Sequence, residues 1–226
     1  MARKAWFKGI SPKGEAYFPK LDEPDTAFNV DGEYKIGLIL DEEAGERFLE
    51  YLNSKRDEAV ALVTDQAEAG ERDIKPAKLK KLGAADVSCK MQEDAEGEET
   101  GSYIFNFKMK AKVTSKKTGK VFEFRPGVFD AKRNVIDPAV TPIWGGSTVR
   151  IAYELAPYYT PKDNAAGVSM RLEAVQVLER QGPGERNAQS YGFDEEDGFD
   201  AAQDAGSFGG DGGAGTQEDD DGAGDF

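Results

Sequence analysis

The chain contains no histidine and only one cysteine in 226 residues, and both shortages restrict its chemistry. Without histidine there is no Ser-His-Asp or Cys-His triad, no His-ligated zinc and no imidazole for acid–base work. Cys89 alone forms neither an internal disulfide nor a multi-thiolate metal site. Any enzymatic activity would therefore rest on carboxylates and lysines, and we expect no cofactor, no metal site and no catalytic residue.

Long apolar runs are missing as well. No stretch approaches the roughly 18 consecutive apolar residues of a membrane-spanning helix. The basic N-terminus is followed by no apolar run of signal-peptide length. The sequence is thus expected to belong to a cytosolic protein that makes no contact with membranes.

Acidic charge is concentrated at one end of the chain. Residues 191–226 hold 12 of the 43 Asp and Glu and no Lys or Arg, which leaves 31 acids against 29 bases in residues 1–190. The formal net charge of −14 therefore describes the tail and not the body. Low hydrophobicity and high charge do not offset the entropy cost of ordering, so we predict one domain over 1–190 and a disordered acidic tail over 191–226.

The periodicity of the body predicts a mainly β fold. Residues 32–40 alternate between apolar and polar side chains, as in a half-buried strand. Residues from about 42 to 69 carry apolar side chains every three to four positions and follow an acidic N-cap, so they are predicted to form a long amphipathic helix. Many further strands with Gly or Pro turns indicate a small barrel into which this helix is inserted.

The stretch 103–113 alternates strictly and is predicted to be a strand with one apolar and one cationic face. The cationic face carries Asn106, Lys108, Lys110 and Lys112. The return strand 121–125 is predicted to bring Phe122 and Phe124 to the apolar side. Alternating aromatics of this kind are expected to be core residues more often than binding platforms.

A basic strand face with aromatics in neighbouring loops fits single-stranded nucleic acid. Phosphates require a cationic track, and unstacked bases require flat π surfaces. The predicted phosphate contacts are Lys108, Lys110, Lys112, Arg125, Lys132, Arg133 and Arg150. The predicted stacking residues are Trp6, Trp144 and two tyrosines in a predicted turn at 157–162, Tyr158 and Tyr159. The lysine row has a second interpretation, as a guard against edge-strand aggregation.

Two other classes of function stay open. Pro24-Asp25 followed by Glu33 and Lys35 matches a short nuclease pattern in which two carboxylates hold a metal and a lysine polarises water. The acidic charge also fits a DNA mimic or a partner-binding protein with no affinity for DNA. No P-loop is present, which disfavours the use of ATP.

Several segments in a fixed order resemble one family. They are the strand 32–38 before the long helix, Ile143-Trp144-Gly145-Gly146-Ser147 leading into the strand 149–158, the strand 168–175, and the terminal Asp225-Phe226. Together they resemble the single-stranded DNA-binding proteins of T-odd-type tailed bacteriophages. The likeness covers roughly residues 30–180 and the tail.

The resemblance implies an OB-fold barrel with an inserted helix. It implies a protein of phage replication, recombination and repair in the host cell cytoplasm, which coats exposed strands and helps complementary strands to anneal. It also implies that Tyr158 stacks on DNA and that Arg3 and Lys4 bind it. A homodimer is a further possibility, through the long helix or by exchange of tails.

In this family the tail contacts the replicative DNA polymerase and the helicase-primase. The residues of this chain that match that role are Asp219, Asp220, Asp221, Asp225 and Phe226. The present tail is Gly-rich with fewer and more scattered acids, so its partner contacts are expected to differ. An anionic tether beside a cationic groove is also predicted to compete with DNA, although a tail that only confers solubility is the simpler alternative.

Overall fold

The computed structural model describes residues 7–27, 29–94 and 96–182. Among these residues no helix is long and apolar enough to cross a membrane. The first elements are β1 (Phe7–Ile10), β2 (Gly14–Asp25), β3 (Glu33–Leu40), α1 (Glu42–Glu68), α2 (Pro76–Leu79) and β4 (Gly83–Ala84). The remaining elements are β5 (Cys89–Glu93), β6 (Glu99–Lys110), β7 (Lys112–Thr114), β8 (Val121–Glu123), β9 (Gly127–Phe129), β10 (Thr148–Thr160) and β11 (Ala165–Glu179).

Five of these strands close into a barrel. The order around it is β10, β2, β3, β6 and β11, and β11 pairs back onto β10. All neighbours are antiparallel except β6 and β11, which run parallel. Five strands closed in this order are an OB-fold. The alternating apolar side chains of the five strands fill the interior, with Phe105, Phe107, Ile151 and Leu155 fully buried.

The helix α1 is the insertion predicted from the sequence, and it spans residues 42–68. Asp41 caps it, since its carboxylate accepts a hydrogen bond from the backbone N–H of Ala44 at 2.8 Å. Phe48 enters the barrel core, with its ring 4.9 Å from Phe105 and 5.9 Å from Tyr153 between centroids. The burial of this side chain, together with Leu52 and Ala59 in the same cluster, fixes the helix against the barrel.

The expectation that Phe122 and Phe124 face the core is wrong. The chain leaves the barrel after Ala111, and β7 and β8 form a separate two-stranded ribbon. Phe122 and Phe124 are therefore 44% and 49% exposed, and Val113 is 41% exposed. The core prediction holds for Phe105 and Phe107, because only their part of the alternating stretch lies in the barrel wall.

The turn predicted at 157–162 is also wrong. Strand β10 continues to Thr160 and pairs residue by residue with β11, including Tyr158 with Gly167 and Tyr159 with Ala166. The proline at 157 does not interrupt the pairing of β10 with β11. The chain reverses direction only in the turn at 161–164. Both tyrosines are half-buried strand residues and not loop residues.

Candidate nucleic-acid interface

Four cations stand side by side across the outer surface of the barrel. Lys20 of β2 is the register partner of Lys35 of β3, Lys35 is the partner of Lys108 of β6, and Lys108 is the partner of Arg171 of β11. We call Lys20, Lys35, Lys108 and Arg171 the cationic row. Like charges directly opposite each other destabilise a sheet, so this row costs the folded protein free energy unless other groups offset it.

Each member of the row is offset by one carboxylate. Lys108 pairs with Glu33 at 2.8 Å, Arg171 with Glu154 at 3.4 Å, and Lys20 with Glu23 at 3.6 Å. Lys35 donates a hydrogen bond from Nζ to Oδ2 of Asp25. The row is therefore partly neutralised in the unliganded protein, while the four cationic side chains keep between 35% and 57% of their surface in water.

The pKa of Asp25 is lowered by its contact with Lys35. The hydrogen bond from Lys35, together with one from the backbone N–H of Ala27 at 2.9 Å, holds the pKa of the Asp25 carboxyl below its ordinary value. The carboxylate form is favoured in the folded state. At neutral pH the partner of Lys35 is thus an anion that any phosphate has to displace.

Beside the row lies a groove of about 460 Å³, which we call the lysine groove. Its walls include Lys35, Lys90, Asn106 and Lys108, with Tyr17 and Phe18 at one side. Lys90 Nζ lies 5.9 Å from the centroid of the Tyr17 ring. The groove therefore combines cations, a polar amide and aromatic faces, which is the mixture that a single nucleic-acid strand requires.

A second groove of about 600 Å³ adjoins the first, and we call it the Trp144 groove. Trp144, which is 43% exposed, forms one wall together with Gly145 and Gly146. Tyr17 and Phe18 form another wall, so these two residues separate the two grooves. Among the described residues, Trp144 is the predicted stacking residue that lines one of these grooves.

The predicted phosphate contacts fall into separate groups. Lys108 belongs to the cationic row, and Lys110 follows it in β6 opposite Glu33. Lys112 lies at the start of the exposed ribbon, where it pairs with Glu123 at 3.2 Å. Arg125 is engaged elsewhere, because it donates to the backbone carbonyl of Asp22 at 3.1 Å and to Asp137 at 3.2 Å.

The remaining predicted cations lie outside the cationic row. Arg150 is the register partner of Gln176, whose side-chain amide donates to the backbone carbonyls of Asp130 and Ala131. Lys132 and Arg133 follow in the same turn. These three exposed cations form a second basic region next to the C-terminal half of β11.

The two predicted tyrosines differ in their surroundings. Tyr159 packs against the cluster formed by Val63, Ile74 and Ala166, and its hydroxyl donates to Oδ1 of Asn164 at 3.0 Å. The ring of Tyr158 lies against Gly167, where an added Cβ would meet the hydroxyl oxygen of the tyrosine at 3.1 Å. Tyr159 thus also stabilises the hairpin, both tyrosines are only half-buried, and the stacking role of each stays a prediction.

Several predicted site residues lie outside the described residues. They are Arg3, Lys4, Trp6, Asp219, Asp220, Asp221, Asp225 and Phe226.

The residues of the short nuclease pattern, Asp25, Glu33 and Lys35, lie close together, but their carboxylates form ion pairs with lysines. Asp25 and Glu33 are register partners at the ends of β2 and β3. Their carboxylates are engaged by Lys35 and Lys108, respectively. Within the described part of the chain, no group of three or more His, Cys, Asp or Glu is placed to hold a metal ion. The arrangement favours a charge-balanced surface over a metal centre.

Several residues of this face were not predicted from the sequence. Lys20 and Arg171 are aligned with Lys108 only by the barrel register. Lys90 comes from β5, where it pairs with Ile104, and it shares the lysine groove with Lys108. Phe18 was missed because Pro19 interrupts the alternation of β2 at that point. The pair Tyr17-Phe18 followed by proline inside a strand pattern was the available signal, since proline in a strand marks a bulge or an edge.

Known proteins resemble this chain over most of its length. Residues 12–180 match the family model described as single-stranded DNA-binding protein, bacteriophage T7. The single-stranded DNA-binding protein of Enterobacteria phage T3 is 27% identical over 183 residues, which are 78% of this chain and 76% of that protein.

Two solved structures share the fold. One is gp2.5, a single-stranded DNA-binding protein encoded by bacteriophage T7, with a TM-score of 0.62 and 24% identity over 86% of this chain and 98% of that chain. The other is the single-stranded DNA-binding protein from bacteriophage Enc34 in complex with single-stranded DNA. Its TM-score is 0.50, with 14% identity over 78% of this chain and 89% of that chain.

Proposed function

This chain belongs to the bacteriophage T7 family of single-stranded DNA-binding proteins, and on that premise we propose that it binds single-stranded DNA during phage replication, recombination and repair in the host cell. It holds the strand without cleaving it. The phosphates lie along the cationic row, and the bases lie in the adjoining grooves.

The cationic row is the observation that carries this proposal. Three successive like-charged register pairs are unfavourable in a sheet. A phosphate backbone laid across the strands would neutralise several of them together and release its own counterions. Oligonucleotides bind OB-folds on the face of the second and third barrel strands. In this chain those strands are β3 and β6, which carry Lys35 and Lys108 of the row.

A gel shift with labelled single-stranded DNA, with and without magnesium, tests the proposal. We expect a retarded complex in both conditions and an intact oligonucleotide. Cleavage that requires magnesium would support the nuclease alternative built on Asp25, Glu33 and Lys35. An unshifted oligonucleotide would support a DNA mimic or a partner-binding protein.

The second basic region, Lys132, Arg133 and Arg150, extends the proposed phosphate path beyond the row. Lys110 and Lys112 lead from the row to the exposed ribbon. No ion pair among the described residues engages Lys110, Lys132, Arg133 or Arg150, so these cations are available to phosphate without displacing an acid. Arg3, Lys4 and Trp6 are proposed to add contacts from the N-terminus.

We further propose that residues 191–226 compete with DNA for the cationic surface and recruit the replicative polymerase and the helicase-primase once displaced. The support is the opposite sign of the two charges: twelve acids in the tail against the cationic row in the barrel. Deletion of 191–226 is expected to tighten DNA binding, most clearly at low salt. Sedimentation of the intact and the truncated chain would show whether a homodimer forms and whether the tail holds it.

A further inference from the structure

Phe18 has an exposed side chain on a backbone conformation that most residues avoid. Its φ is +42°, in the left-handed region, and its side chain is 72% exposed. Both features cost free energy in the unliganded protein, since neither backbone strain nor an exposed aromatic ring is compensated by burial. Strained residues of this kind persist where the surrounding structure enforces them, often at ligand sites.

The strain comes from a bulge in the middle of β2. Tyr17 pairs with Gly37 and Lys20 pairs with Lys35, so three steps along β2 face two steps along β3. The extra residue turns the Phe18 ring out of the barrel wall. The ring is then held from one side by Tyr17, edge to face, with 4.4 Å between the centroids.

The ring stands between the lysine groove and the Trp144 groove, as a wall of both. The lysine groove offers Lys35 and Lys108 for phosphate and Asn106 for the edge of a base. The Trp144 groove offers an aromatic wall in Trp144 beside the glycine pair 145–146.

We propose that Phe18 is a wedge that inserts between two successive bases of the bound strand, with one base in each groove. The proposal rests on the proposed function, because its ligand is the nucleobase of single-stranded DNA. The base in the Trp144 groove stacks against Phe18, with Trp144 as another wall of that groove, and the neighbouring phosphate is held by the cationic row. The wedge is indifferent to sequence, since every base has a π face.

Binding of a fluorescent oligo(dT) by the full-length chain, followed by anisotropy, tests the wedge. Phe18→Ala is expected to weaken binding by about fivefold to 150-fold, the range of one lost base–aromatic stack. The slope of log Kd against log salt is expected to stay unchanged, because the ring displaces no counterions. Phe122→Ala is the matched control, since Phe122 is also exposed but lies on the ribbon. It is expected to bind like the native protein.

An oligomer of abasic sugar-phosphate of the same length separates stacking from other effects. Native protein and Phe18→Ala are expected to bind it equally well, because it offers no base to the wedge. Phe18→Gly is expected to bind oligo(dT) as weakly as Phe18→Ala while unfolding at the same or a higher temperature, since glycine relieves the positive φ.

Three outcomes would overturn the wedge. The first is native-like binding of oligo(dT) by Phe18→Ala. The second is an equal loss of affinity for the abasic oligomer, which would indicate a general distortion of the site. The third is a dimer that becomes a monomer in Phe18→Ala with no change in DNA affinity, which would assign the ring to contact with a second copy. Absence of binding by the native protein would instead overturn the proposed function.

Discussion

Lys35 and Lys108 are register partners on β3 and β6, and each is neutralised by a different strand-end carboxylate, Asp25 and Glu33. The two cations thus stay adjacent without an intervening acid. We propose that one phosphate contacts both of them. Neighbouring strands lie only about 4.8 Å apart, so the pair matches the size of one phosphate group.

Loss of one lysine from this pair should raise the Kd for DNA. It should also make that Kd less sensitive to salt concentration. Lys108→Ala is expected to raise Kd by up to about fivefold, about 1 kcal/mol, because the site is solvent-exposed. The slope of log Kd against log salt should fall by roughly 0.7, the contribution of one phosphate contact to a single strand. Lys75→Ala, an exposed lysine at the start of α2, is the control. An unchanged salt slope in Lys108→Ala would remove this residue from the phosphate path.

Removal of the acid should have the opposite effect. Glu33→Gln keeps the shape of the side chain but abolishes the ion pair with Lys108 at 2.8 Å. DNA then no longer competes with an internal anion, so binding should tighten by about twofold to fivefold at low salt. Glu58→Gln breaks a comparable pair with Lys55 on α1 and should leave Kd unchanged. Equal effects of both substitutions would indicate a change in net charge only.

The two tyrosines of β10 should separate binding from stability. Tyr158→Ala is expected to weaken DNA binding by about 1 to 3 kcal/mol if its ring stacks on a base. Tyr159→Phe removes the hydroxyl that bonds to Asn164, whose side-chain amide in turn holds the carbonyls of Lys78 and Lys81. It is expected to lower the free energy of unfolding by about 0.5 to 1.5 kcal/mol with little change in Kd. Denaturant titration and anisotropy measure the two quantities.

Gly45 should be intolerant of even a methyl group. A Cβ at this position would lie 2.3 Å from Cδ2 of Tyr103, although alanine is otherwise the better helix former. Gly45→Ala is therefore expected to lower the free energy of unfolding by about 1 to 3 kcal/mol, because α1 has to shift off the barrel. Ser54→Ala on the exposed face of α1 should be neutral or stabilising. A stabilised Gly45→Ala would show that the helix moves without cost.

The thiol of Cys89 should react slowly in the folded protein. Burial raises the pKa of this thiol to about 11, from an ordinary value of 9.0. The protonated form is favoured on folding, so this contribution to stability is present below pH 9 and is lost as the pH rises towards 11. Alkylation by iodoacetamide between pH 8 and 10 should be much slower than in the denaturant-unfolded chain. Equal rates would place the thiolate in solvent.

Local sequence patterns predicted the elements that depend on one period. The helix α1 and the strands β3, β6, β10 and β11 all follow from alternation or from apolar spacing of three to four residues. The exposure of Phe122 could not be predicted in this way, because the alternation of side chains continues past Ala111 although the chain leaves the barrel there. A pattern of side chains states which residues share a face but not what that face covers.

The site was less predictable than the fold. Lys108 was found because it belongs to a regular strand, whereas Arg171 joins it only through a parallel pairing between β6 and β11. Phe18 depends on a bulge, and a single extra residue leaves no periodic signal. The DNA roles of Tyr158, Trp144 and the N-terminal residues remain predictions for the experiments above.

The parallel pairing of β6 with β11 also determines when, during synthesis of the chain, the cationic row is completed. Lys20, Lys35 and Lys108 are all synthesised before the strand that supplies Arg171. Pairings between strands far apart in sequence form late, because the entropy cost of closing the loop has to be met before the contacts stabilise the chain. A growing chain thus carries its positive charges long before they are aligned, and it should acquire its full affinity for DNA only when the last strand docks and folding is complete.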